Sequence, residues 1–137
     1  MGHFTKFTTF FLFLVTGFAF GQYALADKNA TSETQNLYKN LWKLLDKGIM
    51  FGHQDDLAYG VNWRMQKGRS DVKEVAGDFP AVFGWDIGGV EKNAAGSIDI
   101  FTFKDQKKFM EEVYNKGGIN TISWHADNPK TGKDAWN

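Results

Sequence analysis

The chain has 137 residues, a formal net charge of zero and no cysteine. This length suits one domain at most and is too short for a closed eight-unit α/β barrel, which takes about 250 residues. The balanced charge gives no sign of a nucleic-acid or charged-membrane partner, and the lack of thiols excludes disulfide frameworks, thiolate zinc sites and cysteine nucleophiles.

Residues 1–26 have the pattern of a secretory signal peptide. The segment has no acidic residue, carries Lys6 near its start and is mostly apolar from Phe7 to Phe20. Small-residue cleavage sites end at Ala26 or, alternatively, at Gly21. The apolar run is about half the length that spans a bilayer, which favours a cleaved signal over an uncleaved N-terminal anchor. The sequence therefore predicts a secreted or periplasmic protein.

Residues 27–36 are polar and are predicted to be a flexible lead-in to the ordered domain, residues 37–137. Apolar residues then recur at helical spacing up to Leu45, with Thr34 as a possible N-cap and Gly48 placed to end the helix. The later predicted elements are a buried strand at Ile49–Phe51, a loop or short helical stretch at Leu57–Arg69, a helix capped by Ser70 or Asp71 and ending at Val75, a strand at Ala81–Asp86, a helix at Asp105–Lys116 and a strand at Ile119–Trp124.

The three predicted strands share one pattern, an apolar run that ends in polar residues. Their spacing matches the roughly 30 or more residues of a βαβ crossover, so we expect parallel strands joined by helices. Polar groups would then gather at the carboxyl edge of the sheet, where parallel α/β folds place their sites. Three such units fit this chain, whereas a whole barrel has eight. Because a parallel strand needs a neighbour on each edge, we expect the chain to be part of a larger domain.

Six polar residues end these strands: His53, Asp55, Asp56, Asp86, His125 and Asp127. They could converge on one site. Alternatively, the aspartates could simply cap the following turns, and each histidine could bond a nearby carbonyl group. The pairs His53-x-Asp55 and His125-x-Asp127 could also hold a divalent metal, which would make the protein a metal-dependent hydrolase.

The tryptophans suggest a carbohydrate ligand, because the apolar C–H face of a pyranose stacks on an aromatic ring. Trp63 and Trp136 lie in polar loops with no obvious core to join, whereas Trp42 lies on an apolar helical stripe and is expected in the core. Trp85 and Trp124 each precede the polar residue that ends a strand, Asp86 and His125. Adjacent strand residues point in opposite directions, so one residue of each pair should face the site. A non-catalytic sugar-binding module would show the same features. Glu91 is the one glutamate near a predicted strand end, which leaves no convincing acid–nucleophile pair for glycoside hydrolysis.

Five blocks together resemble glycoside hydrolase family 26, and they occur in the right order with suitable spacing. The blocks are Gly48–Asp56, Ala58–Gly60, Ser70–Val75, Pro80–Asp86 and Ile122–Pro129. That family consists mainly of secreted endo-β-1,4-mannanases built on a (β/α)₈ TIM barrel. The resemblance runs through almost all of the chain after the signal peptide. It implies the first three βα units of such a barrel.

The resemblance also implies which residues act. The family's acid/base and nucleophile are glutamates on the fourth and seventh strands, beyond Asn137, with a retaining mechanism and no cofactor. The chain itself would then hold no catalytic or metal-binding residue and would be inactive and unstable alone. Its expected substrate-binding residues are His53, Asp86, Trp124, His125 and Trp136. The full-length protein would be a monomer that acts on β-mannan or a related β-linked polysaccharide, with no nucleic-acid partner and no stable membrane insertion.

Overall fold

A computed structural model describes residues 24–92, 94–96 and 101–136. The chain divides into two compact units, residues 1–49 and residues 50–137. Nearly all of the predicted signal peptide lies outside the described residues. Within the described part of the chain, no helix combines the length and the apolar character needed to cross a membrane.

The first unit contains helix α1, Ser32–Leu44. Its N-cap is Thr31, whose hydroxyl accepts a hydrogen bond from the backbone N–H of Thr34 at 3.3 Å. The predicted cap at Thr34 is therefore wrong, because Thr34 already lies in the first turn, and the predicted lead-in is helical from Ser32. None of the residues of α1 is buried, so the placement of Trp42 in a core is also wrong.

The described residues of the second unit form two sheets and two α-helices. In chain order its elements are β1 (Gly52–Gln54), β2 (Tyr59–Gly60), β3 (Trp63–Arg64), α2 (Asp71–Ala76), β4 (Val82–Asp86), a 3₁₀ turn (Val90–Lys92), α3 (Phe103–Asn115) and β5 (Ile119–Ser123). Strands β1, β4 and β5 form one parallel sheet with β4 in the centre. Helix α2 lies between β1 and β4 along the chain, and α3 lies between β4 and β5. The predicted parallel strands with helical crossovers are confirmed, and the sheet does not close into a barrel.

The first strand differs from its prediction. It begins at Gly52, after the apolar run, and that run is exposed: Ile49 is 100% and Phe51 61% accessible. The Phe51 carbonyl accepts hydrogen bonds from the N–H groups of Ala81 and Val82 at 3.1 and 3.2 Å, so the backbone is paired. The side chains stay uncovered because they project from the faces of the sheet, where little of the described chain packs over them. Strand β1 lies at an edge of the sheet, beside β4.

The segment predicted as a loop after β1 holds a small antiparallel hairpin, in which Gly60 pairs with Trp63. Trp63 is only 5% exposed, and its indole N–H donates to the Asp71 carboxylate at the start of α2. The Arg69 guanidinium lies 5.3 Å from the centre of the same ring. The prediction that Trp63 is an exposed sugar-binding residue is therefore wrong. Helix α2 is capped by Ser70, one of its two predicted caps.

The core of the second unit lies between the sheet and α3. Phe83 and Trp85 occupy alternate positions of β4, and both are buried. Trp85 stacks parallel to Phe109 of α3 at 5.9 Å between ring centres, and Phe101 meets Trp85 edge-on at 6.4 Å. The Trp85 indole N–H donates to Asn120 Oδ1 of β5 at 2.7 Å. Of the pair Trp85 and Asp86, the tryptophan therefore faces the helix.

Helix α3 begins two residues earlier than predicted, because the Thr102 hydroxyl caps it by accepting the backbone N–H of Asp105 at 3.1 Å. On the exposed side of α3, Lys107 forms an ion pair with Glu111 at 3.8 Å, and Lys108 contacts the Asp105 carboxylate at 3.1 Å.

Candidate active-site wall

The carboxyl ends of β4 and β5 bring three residues together around Asp86: Gly88, Ser123 and His125. In the parallel register Asp86 lies beside Ser123, and the chain then leads to His125. One carboxylate oxygen, Oδ1, accepts the N–H of Gly88 at 2.7 Å and that of His125 at 3.5 Å. The other, Oδ2, accepts the Ser123 hydroxyl at 2.7 Å and lies 2.6 Å from His125 Nδ1. Asp86 is therefore the centre of this group.

Asp86 is held as a carboxylate. It is 2% exposed, and burial alone would raise its pKa. Hydrogen bonds from Ser123, Gly88 and His125 outweigh that effect and hold the pKa of Asp86 below its ordinary value. Its backbone carbonyl also accepts the side-chain amide of Gln106 at 2.7 Å, which ties this strand end to α3.

His125 and Trp136 form an exposed ring pair beside Asp86. Their ring centres lie 5.1 Å apart with 14° between the planes. The Trp136 residue is 70% exposed and the His125 side chain 48% exposed. Nδ1 of His125 is occupied by Asp86, whereas Nε2 makes no hydrogen bond to the described residues. The pair thus offers an aromatic face next to a fixed polar nitrogen, the combination that sugar recognition needs.

Glu91, in the 3₁₀ turn after β4, ties down the loop that carries His125. Its carboxylate accepts the N–H of Asp127 at 2.8 Å and the indole N–H of Trp124 at 3.1 Å. The backbone N–H of Asp127 is the main reason that the pKa of Glu91 is lowered. Lys92 forms an ion pair with the Asp127 carboxylate, which raises the pKa of Lys92. Glu91 is thus held ionised, whereas a general acid needs a raised pKa.

The sequence predicted that Glu91 lies near a strand end, but it did not predict that Glu91 binds the loop that carries His125. Trp124 is 56% exposed, as the prediction of a site-facing tryptophan allows, but its indole N–H is already engaged by Glu91. The sequence feature that could have indicated this role is the position of Glu91 in the loop after β4. That loop lies opposite the loop after β5, whose backbone N–H groups can donate to a carboxylate. Its pairing could not be read from the sequence, because a loop-to-loop contact leaves no periodic pattern.

His53 does not join the Asp86 group in this structure. Its Nδ1 lies 3.4 Å from Asp56 Oδ1, in an arrangement that makes no hydrogen bond. Asp56 itself is 1% exposed, and neither of its carboxylate oxygens accepts a hydrogen bond from a described residue. Asp55 closes the strand: its backbone N–H donates to the Gly84 carbonyl at 3.0 Å and its own carbonyl accepts the N–H of Ala58 at 2.8 Å. The backbone of Asp55 therefore forms a turn, which agrees with the alternative that the aspartates cap the turns after the strands.

The geometry of the described residues does not support the metal-site alternative. His125 Nδ1 faces Asp86, and the Asp127 carboxylate faces Lys92, so this His-x-Asp pair does not point two ligands at one centre. His53 lies beside Asp56 rather than forming the predicted pair with Asp55. Across residues 24–92, 94–96 and 101–136, no group of three histidine or carboxylate side chains could hold a metal ion.

Comparison with known proteins agrees with the motif resemblance. The model of glycosyl hydrolase family 26 matches residues 26–137. A mannan endo-1,4-β-mannosidase from Bifidobacterium adolescentis is 37% identical over 114 residues, which are 80% of this chain and 11% of that protein.

The solved structures of two mannanases are similar to the structure of this chain. The family 26 β-mannanase BoMan26A from Bacteroides ovatus superposes with a TM-score of 0.74 at 45% identity, over 77% of this chain and 30% of that one. A modular endo-β-1,4-mannanase from Cellulomonas fimi superposes with a TM-score of 0.65 at 36% identity, over 81% of this chain and 26% of that one. The chain thus spans about a tenth of the curated relative and less than a third of each solved chain. With a family match over nearly all the residues that follow the predicted signal, this chain belongs to glycosyl hydrolase family 26.

Proposed function

We propose that this chain is the N-terminal part of a secreted endo-β-1,4-mannanase-like enzyme that hydrolyses β-mannan with retention. The observation that carries the proposal is the group formed by Asp86, His125 and Trp136 at the carboxyl ends of β4 and β5. This is the edge where parallel α/β folds bind substrates. The related proteins named above are mannanases, which supports β-mannan as the substrate class.

The chemistry of this edge fits a neutral polysaccharide. Trp136 exposes a large apolar ring, and His125 presents a hydrogen-bonding nitrogen fixed by a buried carboxylate. Sugars offer alternating C–H faces and hydroxyl groups to such a surface. The formal net charge of zero also suits an uncharged polymer. We propose that the full-length protein binds β-mannan as a monomer and uses no cofactor.

The catalytic glutamates, we propose, come from strands that complete a (β/α)₈ barrel in a longer protein. The carboxylates of the described wall already have other tasks: Asp86 holds His125, and Glu91 holds the following loop. The wall would thus bind and orient the sugar, while the acid/base and nucleophile act from elsewhere.

Turnover tests this division of labour. We expect residues 27–137 alone to release no reducing sugar from galactomannan. A chimera in which residues 27–137 replace the matched segment of the Bacteroides ovatus β-mannanase should hydrolyse it, because that partner supplies the remaining strands. Turnover by the short chain would show that the catalytic pair is not missing. An inactive but folded chimera, with saturable mannan binding by the short chain, would favour the sugar-binding-module alternative.

Export is the second testable part of the proposal, because it depends on residues 1–26. Expressed in a bacterial host, the chain should reach the periplasm with a mass that corresponds to cleavage after Ala26 or after Gly21. Leu14→Arg should abolish export, since a charge interrupts the short apolar run. Membrane-bound protein with its N-terminus intact would instead identify an uncleaved anchor.

A further inference from the structure

We infer that Asp86 is the positioning residue of His125: it fixes the imidazole proton on Nδ1, so that neutral His125 presents Nε2 to the ligand as a hydrogen-bond acceptor. The inference starts from the 2.6 Å contact between Asp86 Oδ2 and His125 Nδ1. A carboxylate can only accept hydrogen bonds. A contact this short therefore needs the proton on Nδ1, and in a neutral ring that leaves a lone pair on Nε2.

The surroundings hold Asp86 in the orientation that this role requires. Its Oδ1 is fixed by the backbone N–H of Gly88 at 2.7 Å, and its Oδ2 also accepts the Ser123 hydroxyl at 2.7 Å. The carboxylate therefore cannot turn away from His125 without giving up these donors. On the other side, Trp136 lies nearly parallel to the imidazole and limits its rotation.

The same contacts predict what a neutral amide would do in place of the carboxylate. In Asp86→Asn the amide oxygen should take the Oδ1 position, because backbone N–H groups point there. The NH₂ group then occupies the Oδ2 position and donates to His125 Nδ1. The ring must move its proton to Nε2, so the ligand-facing nitrogen changes from acceptor to donor. A nearly isosteric substitution would thus reverse the hydrogen-bonding character of the wall.

For the ligand, an acceptor at Nε2 selects a hydroxyl that donates. This part of the inference rests on the proposed function, whereas the position of the proton does not. A sugar hydroxyl is both donor and acceptor, so it could satisfy either ring form. When the sugar hydroxyl donates to Nε2 of the native tautomer, the hydroxyl oxygen remains free to accept a hydrogen bond from another group. Asp86 would thereby set the direction of a hydrogen-bond chain that runs from the sugar through His125 to the buried carboxylate.

Nitrogen NMR on the 137-residue chain tests the inference without any sugar. The histidines carry ¹⁵N, and long-range ¹H–¹⁵N spectra are recorded at a pH where the His125 ring is neutral; the His125→Gln variant identifies its signals. We expect a protonated, pyrrole-type Nδ1 and an unprotonated, pyridine-type Nε2 in the native chain. Asp86→Asn should exchange the two types. Asp127→Asn, which removes a carboxylate two residues from His125 that pairs with Lys92, is the matched control and should leave the native pattern intact.

Each outcome decides the inference. A native His125 with its proton on Nε2, as free imidazole side chains mostly have it, overturns the assignment to Asp86. An unchanged pattern in Asp86→Asn overturns it too, because the carboxylate would then not be what fixes the ring. If the native tautomer is as expected but the folded chimera with the Bacteroides ovatus enzyme does not hydrolyse mannan, the proposed function fails while the positioning role of Asp86 stands.

Discussion

Replacing Trp85 by alanine should destabilise the second unit by about 3–5 kcal/mol, the range for truncating a large buried aromatic side chain. Trp85 has no exposed surface, stacks on Phe109, meets Phe101 edge-on and donates a hydrogen bond to Asn120. The substitution leaves a cavity together with an unpaired Asn120 side-chain oxygen. Urea unfolding followed by near-ultraviolet circular dichroism measures the loss, which is a large share of the about 5–15 kcal/mol by which a typical domain is stable.

Trp136→Ala is the matched control for that measurement. It removes the same side chain from a position that is 70% exposed, so the free energy of unfolding should change by less than about 0.5 kcal/mol. Equal losses in the two variants would contradict the assignment of Trp85 to the core and of Trp136 to the surface.

Replacing His125 by alanine in the chimera with the Bacteroides ovatus enzyme should lower kcat/KM on mannan by about 30-fold, equivalent to about 2 kcal/mol, the cost of truncating a well-placed binding residue. The substitution removes the ring that we propose connects the sugar to Asp86, and it also leaves that buried carboxylate short of one donor. Initial rates on galactomannan measure the effect, and circular dichroism of the same samples shows whether the fold is kept.

The control for that variant is Lys130→Ala, an exposed position in the same loop whose side chain takes no part in the group around Asp86. Its kcat/KM should stay within about twofold of the parent chimera, since isolated surface substitutions have small effects. If His125→Ala retains full activity in a folded chimera, the described edge is not the sugar-binding wall.

The parallel sheet could be predicted because each strand carries a local signal, an apolar run that turns polar. That signal correctly placed β4 and β5 and brought Asp86 and His125 to one edge. It failed for the first strand, because Ile49–Phe51 is apolar enough to be buried but little of the described chain packs over these side chains. Whether an apolar residue is buried depends on which other residues pack against it, and its own side chain does not determine this.

The misplaced tryptophans have a similar explanation. Trp63 was predicted to be exposed because it lies between polar residues, but those residues are its partners: Asp71 takes its indole N–H and Arg69 lies over its ring. The strands of its hairpin have two residues each, too few for an alternating pattern to be visible. The separation of His53 from His125 could not be predicted either, because sequence gives strand spacing but not which strand occupies the centre.

The pairing of Asp86 with Ser123 in the β4–β5 register has a consequence for how this protein can change. Adjacent residues of a strand face opposite sides, so the register that aims Asp86 at His125 is also the one that sends Trp85 into the aromatic core. A slip by one residue would place a carboxylate among the phenylalanine rings and a tryptophan at the proposed sugar-binding edge. Selection for a stable core therefore protects the binding group against register errors without acting on binding at all. The loops after the strands can vary in sequence and length, while the packing of the core keeps Asp86 pointing in the same direction.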